Sequence, residues 1–163
     1  MFQFEGEFGG WVEFARETIE TVVADMLPLI GTHYQEIAPY KEIPLQPDVG
    51  HYRQVEAIGA LRIYTARDAD KHLRGYALFF LRPHPHFHAS LQAAQDLLFI
   101  DPDHRGFGLS FLRYCDEQLA GEGVEVIHHT VTTRCDFSPM LRRMGYQLSE
   151  FIYTRHTGRA ISP

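Results

Sequence analysis

The stretch Ser90–Leu119, SLQAAQDLLFIDPDHRGFGLSFLRYCDEQL, limits the fold more than any other part of the chain. Leu97, Leu98, Phe99 and Ile100 form an apolar run of strand type. Asp101-Pro102-Asp103 ends it, because proline has no amide hydrogen to give a ladder. Arg105, Gly106, Phe107, Gly108, Leu109 and Ser110 follow, and Leu109, Leu112, Cys115 and Leu119 then recur at helical spacing. The pattern predicts a buried strand, a tight polar turn and a helix with a glycine-rich start. Free N–H groups and the positive end of the helix dipole attract phosphate at such a place. Gly106 and Gly108 let backbone approach an anion closely, and Arg105 offers it a planar fork.

The chain has 163 residues, enough for one domain with a sizeable core. No apolar run approaches a membrane span, and the start, MFQFEGEFGG, lacks the basic and apolar regions of a signal peptide. A cytoplasmic protein without membrane partners is the expectation. A net charge of −6 argues against nucleic acid as partner, since phosphate backbones call for a basic patch. Cys115 and Cys135 are read as free thiols rather than a disulfide framework.

Taken in order, residues 1–10 suggest a short edge strand or an arm. Trp11–Ala38 reads as helix, with Ile19, Val22, Met26, Ile30, Tyr34 and Ile37 at spacings of three and four. Pro28 predicts a kink or a split into two helices. Asp48 is a candidate N-cap for a helix reaching about Ala60. Leu61–Ala66 and Leu73–Leu81 read as a β-hairpin around the polar turn Arg67–Lys71. Arg82–His88 is expected as a loop or strand end, and Ser90–Ile100 as the third strand of this part. After the glycine-rich helix come a strand at Val124–Thr132, a short helix near Ser138–Met144 with Pro139 in its first turn, and a last strand at Gln147–Arg155. The order predicts an α/β or α+β fold around one mixed sheet. The expected core is 24–155, with 1–23 as an N-terminal extension and 156–163 as a polar tail.

The segment Leu98-Phe99-Ile100-Asp101-Pro102 followed by Arg105-x-x-Gly108-x-Ser110 resembles the acetyl-CoA-binding motif of the GNAT N-acetyltransferases, Q/R-x-x-G-x-G/A after an apolar strand. Ser110 replaces the final small residue. The element order is similar to the GNAT fold as well. Ile43-Pro44-Leu45-x-Pro47-Asp48 and the histidine-rich loop resemble a branch common in bacteriophages and their bacterial hosts. The resemblance implies a single domain with a mostly antiparallel sheet, splayed beside Leu98, Phe99 and Ile100. Acetyl-CoA would lie in the gap as co-substrate, its pantetheine along those three residues and its pyrophosphate on Arg105, Gly106, Phe107, Gly108, Leu109 and Ser110. An amine would then attack the thioester directly, with no metal. A monomer or homodimer is expected.

In such enzymes the base is often a carboxylate on that strand. Asp96 is the only acid between Ser90 and Ile100. Alternation puts it on the face of Ala94, Leu98 and Ile100, where apolar neighbours would raise its pKa. The competing reading is an Asp that caps or pairs near a strand bulge. The usual general acid is a tyrosine four residues before the glycine that closes the last helix. That position is Leu141, so the tyrosine is missing, and Ser138, Tyr146 or water stands in for it. His84, His86 and His88 alternate. They are read as rimming a cleft, with His86 and His88 near the acceptor, in preference to a metal site. Two functions follow: an acyl-CoA-dependent N-acyltransferase, or a catalytically inactive GNAT-fold protein that binds CoA or a partner.

Overall fold

Alternation in the first strand-forming segment is stronger than its helical periodicity. In the computed structural model, which describes residues 2–5 and 11–158, Val12 and Phe14 are buried between more exposed neighbours. Trp11–Glu17 is therefore strand β2, paired to β1 (Phe2–Glu5), where a helix was expected from Trp11. Residues 2–5 fit the edge-strand reading; Gly6–Gly10 lie outside the described residues. Helix α1 starts only at Ile19 and runs to Ile37. Thr18 sets that boundary with a capping box: its hydroxyl accepts from the Thr21 amide, and the Thr21 hydroxyl accepts from the Thr18 amide. One helix passes through Pro28, so of the kink and the split that proline predicted, the split does not occur.

Asp48 caps helix α2 (Val49–Ala57), accepting from the His51 amide at 2.9 Å. Strands β3 (Leu61–Arg67), β4 (Leu73–His84) and β5 (Phe87–Ile100) form an antiparallel meander. The second hairpin is longer than expected. Pro83 and His84 still pair, so the histidine-rich segment is two strand ends and a tight turn. A 3-10 turn at Pro102–Phe107 leads into helix α3 (Gly108–Gly121). Strand β6 is short, Val126–His128, where Val124–Thr132 was expected, and helix α4 is Ser138–Arg143. Gly145, at φ +95°, closes α4 in a conformation that favours glycine.

The sheet order is β1-β2-β3-β4-β5-β6, antiparallel throughout except for the parallel pair β5–β6. One face packs Phe14, Tyr64 and Phe79 against Phe111, Cys115 and Leu119 of α3. The other packs Ile63, Tyr76, Leu78 and Phe99 against Ile19, Val22 and Met26 of α1. These side chains are almost fully buried, and each contributes on the order of 1.5–3 kcal/mol. The mixed α/β architecture matches the expectation. Residues 147–155 do not form the predicted last strand: Leu148, Phe151, Ile152 and Tyr153 are exposed, and a three-residue β6 offers them little edge to pair with. Among the described residues no helix is long and apolar enough to cross a membrane.

Candidate active site

The site forms where β5 loses one of its two neighbours. It pairs with β6 only at Gln92–Val126, Ala93–Ile127 and Ala94–His128. From Gln95 to Ile100 it pairs only with β4. A groove of about 740 Å³ opens beside this free stretch. Its floor includes Leu97, Leu98, Phe99 and Ile100. One wall comes from α3, α4 and the segment after β6, with Gly108, Leu112, Cys135, Phe137 and Met140. The other comes from α1, the 38–47 connector and α2, with Val23, Leu27, Ile30, Leu45, Val49 and Tyr52.

Asp96 stands at the junction. Leu78 pairs with Leu97 and Phe79 with Gln95, so Asp96 is the extra residue of a β-bulge. The bulge reverses the alternation of β5. Leu91 and Ala93 pack on the α3 side before it, and Leu98 and Ile100 do so after it, while Leu97 and Phe99 pack on the α1 side. Asp96 therefore does not share a face with Leu98 and Ile100, as simple alternation implied. It points to α2, where the Tyr52 hydroxyl donates to its carboxylate at 2.6 Å. It is also exposed, so the apolar burial assumed for it is absent.

Tyr52 is a candidate site residue that the sequence did not mark: it lines the groove and bonds Asp96. Its ring stacks on Phe80, with centroids 6.1 Å apart and planes 7° from parallel. Burial, reinforced by the Asp96 carboxylate, pushes its hydroxyl well above the ordinary phenol range. Nothing in the periodicity of α2 marks this tyrosine; only the packing of α2 over the bulge does. The acid candidates read from the sequence are engaged elsewhere. The Tyr146 hydroxyl donates to Asp116 at 2.8 Å, and Ser138 Oγ accepts from Arg142 at 2.8 Å. Leu141 is buried.

The motif residues divide. Arg105 and Gly108 line the groove; Gly106, Phe107, Leu109 and Ser110 lie outside its lining. Phe107 is a core residue, 6.0 Å from the Phe14 ring. Arg105 Nη2 donates to Glu36 at 2.6 Å, and its Nε reaches the Ile100 carbonyl at 3.4 Å. No side chain caps α3, and the Gly108 amide donates back to the Arg105 carbonyl. A Cβ at Gly108 would sit 3.2 Å from Ile100 Cδ1 and 3.5 Å from Met140 Cε, so glycine here sets the approach of α3 to β5.

Two histidines, His33 buried and His129 half-buried, flank the groove. His33 of α1 lies 3.0 Å from the Tyr76 hydroxyl, and burial lowers its pKa to about 4. His129 Nδ1 lies 2.6 Å from Gln95 Oε1, an acceptor, so the ring carries its proton on Nδ1. Burial lowers this pKa to about 4 as well. His86 and His88 sit at the exposed hairpin tip, outside the lining, because β4 and β5 continue pairing past the groove. Among the described residues the clustered potential metal ligands are Asp68, Asp70 and His72, on the β3–β4 turn. Asp68 is already bonded there to Arg74 and to the amides of Asp70 and His72.

No family model matches the sequence, and no curated protein matches it. Solved structures do. A ribosomal-protein-alanine N-acetyltransferase from Brucella melitensis superposes with a TM-score of 0.70 at 17% identity, covering 91% of this chain and 99% of that one. An aminoglycoside acetyltransferase from an uncultured soil metagenomic sample gives 0.65 at 14%, over 89% and 97%. A predicted acetyltransferase from Clostridium acetobutylicum, solved with acetyl-CoA, gives 0.65 at 12%, over 88% and 96%. At these identities the likeness is one of fold.

Proposed function

We propose that this chain, which has the GNAT acetyltransferase fold, is an acyl-CoA-dependent N-acyltransferase that moves acetyl from acetyl-CoA directly to an amine. The observation that carries this reading is the parting of β5 and β6 at the Asp96 bulge, with Arg105 and Gly108 on the same groove. A strand with one free edge offers backbone N–H and C=O groups to an amide-bearing ligand such as pantetheine. Arg105 is the cation placed to meet the phosphates. It would exchange Glu36 for them, one charge-assisted pair for another.

Asp96 is the proposed base. At the junction of the two walls its carboxylate takes a proton from the acceptor ammonium. Tyr52 is a positioning residue, since its hydrogen bond holds one carboxylate oxygen in place. The leaving thiolate needs little assistance, because a free thiol titrates near 8.5, within about two units of neutral pH. A missing tyrosine at Leu141 is compatible with this chemistry.

Calorimetric titration of acetyl-CoA into the full chain tests the reading. Saturable binding is expected, weakened about tenfold or more in Arg105→Ala. Absence of binding at millimolar acetyl-CoA, or equal binding by the variant, overturns the assignment of the groove. Binding with no turnover of any amine supports the second reading, a CoA-binding scaffold.

A further inference from the structure

The α1/α2 wall differs chemically from the rest of the groove. Val23 and Leu27 of α1, Ile43 and Leu45 of the connector, and Val49 of α2 all line it. Leu27, Ile43 and Leu45 remain 51%, 47% and 42% exposed at its mouth. Aliphatic side chains gathered in water at the mouth of a groove mark a surface that a ligand covers. Three carboxylates reach the groove among the described residues: Glu36, Asp96 and Asp136. Glu36 is paired with Arg105 at 2.6 Å, and Asp136 accepts from the Ser138 amide at 2.8 Å. Asp136, also exposed and bonded to a neutral donor, belongs to the opposite wall; beside α1 and α2, Asp96, exposed and bonded only to the Tyr52 hydroxyl, is the carboxylate left for a cation.

We propose that the acceptor is a monoamine carried on an apolar body, such as an alkylamine or an arylalkylamine. Its single ammonium meets Asp96, and its hydrocarbon covers Val23, Leu27 and Leu45. A polyamine or an aminoglycoside would bring several ammonium groups to a wall with one open carboxylate, leaving the others against aliphatic carbon. In the reaction the amine nitrogen bonds to the acetyl carbon and the C–S bond breaks. Of the two protons the ammonium loses, one passes through Asp96 to solvent and one ends on the thiol of CoA. The word acceptor rests on the acyltransferase reading; the affinity of the wall for an apolar amine does not.

The test uses butylamine, hexylamine and octylamine, with spermidine and kanamycin as polycationic contrasts. Thiol release from acetyl-CoA and thermal stabilisation by each amine alone are both measured on the full chain. Thiol release is expected to rise up to about fourfold per methylene in kcat/KM, with octylamine at least about tenfold above butylamine. Leu27→Glu and Leu45→Glu, at exposed positions that leave folding intact, should flatten the series without changing acetyl-CoA binding. A flat series, or preference for spermidine or kanamycin, overturns the proposal. If no amine is acetylated yet octylamine stabilises the chain saturably, and Leu27→Glu abolishes this, the apolar-amine site stands and the acyltransferase reading falls. If octylamine does not bind, the proposal fails whatever the turnover. If octanoyl-CoA binds about tenfold tighter than acetyl-CoA and Leu27→Glu removes the gain, the wall holds an acyl chain and the proposal is overturned.

Discussion

The two walls of the groove are built in different ways. The motif part of the α3 wall grows out of one continuous segment, with strand, Asp101-Pro102 turn, Arg105 and Gly108 in succession, and Cys135, Phe137 and Met140 complete that wall from beyond β6. The α1/α2 wall joins Val23, Leu45 and Tyr52 to Asp96 across tens of residues, and only folding brings them together. The motif part offers glycine, arginine and strand backbone; the α1/α2 wall offers side chains. A site for an invariant ligand can be specified locally by backbone geometry. A site that selects among acceptors needs side chains from several elements, each free to vary without disturbing the motif.

The largest expected effect separates chemistry from binding. Asp96→Asn should lower kcat/KM by about 10²–10⁴-fold, in the range of a lost general base. Its acetyl-CoA affinity by calorimetry should stay within about twofold of wild type, because the α3 wall is untouched. Tyr52→Phe should give a smaller loss, falling on kcat while the KM for acetyl-CoA stays unchanged, since a hydrogen bond that positions the carboxylate is gone. An unchanged kcat would leave Tyr52 as packing against Phe80 alone.

Stability should divide the walls next. Phe111 behind the α3 wall is fully buried, so Phe111→Ala should cost about 3–5 kcal/mol in urea unfolding. Leu27 on the rim is half exposed, and Leu27→Ala should cost less than about 1 kcal/mol. Equal losses would mean that the rim is structural and not held open for a ligand. Arg105→Ala should weaken acetyl-CoA by about 1.5–3 kcal/mol, and Glu36→Gln should strengthen it by less, having released the guanidinium.

Protonation should act on both sides of the groove at once. His33 and His129 each have a folded pKa near 4, below the ordinary value of 6.5, because the fold desolvates both rings. Between pH 6.5 and 4 the unfolded chain binds protons that the folded chain refuses. Stability should therefore be complete above about pH 6.5 and fall as pH drops through that window. His129→Phe should make urea midpoints less sensitive to pH there; an identical pH slope would contradict burial as the cause.

Much of this architecture is legible in the residues. The strand before Pro102, the α3 stripe, the Asp48 cap and the hairpin follow from local patterns that tertiary packing reinforces. The misreadings share a physical origin. Val12 and Phe14 alternate, but Trp11, Phe14 and the residues of α1 also fit a helical spacing, and only pairing to β1 and β3 decides between them. Leu148, Phe151 and Ile152 look strand-like, yet a strand needs an edge, and β6 ends at His128. The direction of Asp96 depends on a bulge, which a run of single residues does not display. Tyr52 came from outside every motif, carried to the site by α2.

The proposed transfer of acetyl to an amine through Asp96, in the groove at the β5–β6 parting, is tested most directly by mass-spectrometric product analysis, with octylamine and acetyl-CoA beside wild type and Asp96→Asn. N-acetyloctylamine is expected with the wild-type chain, and at least about a hundredfold less with the variant. Equal product from both proteins, or free CoA without acetylated amine, would contradict it.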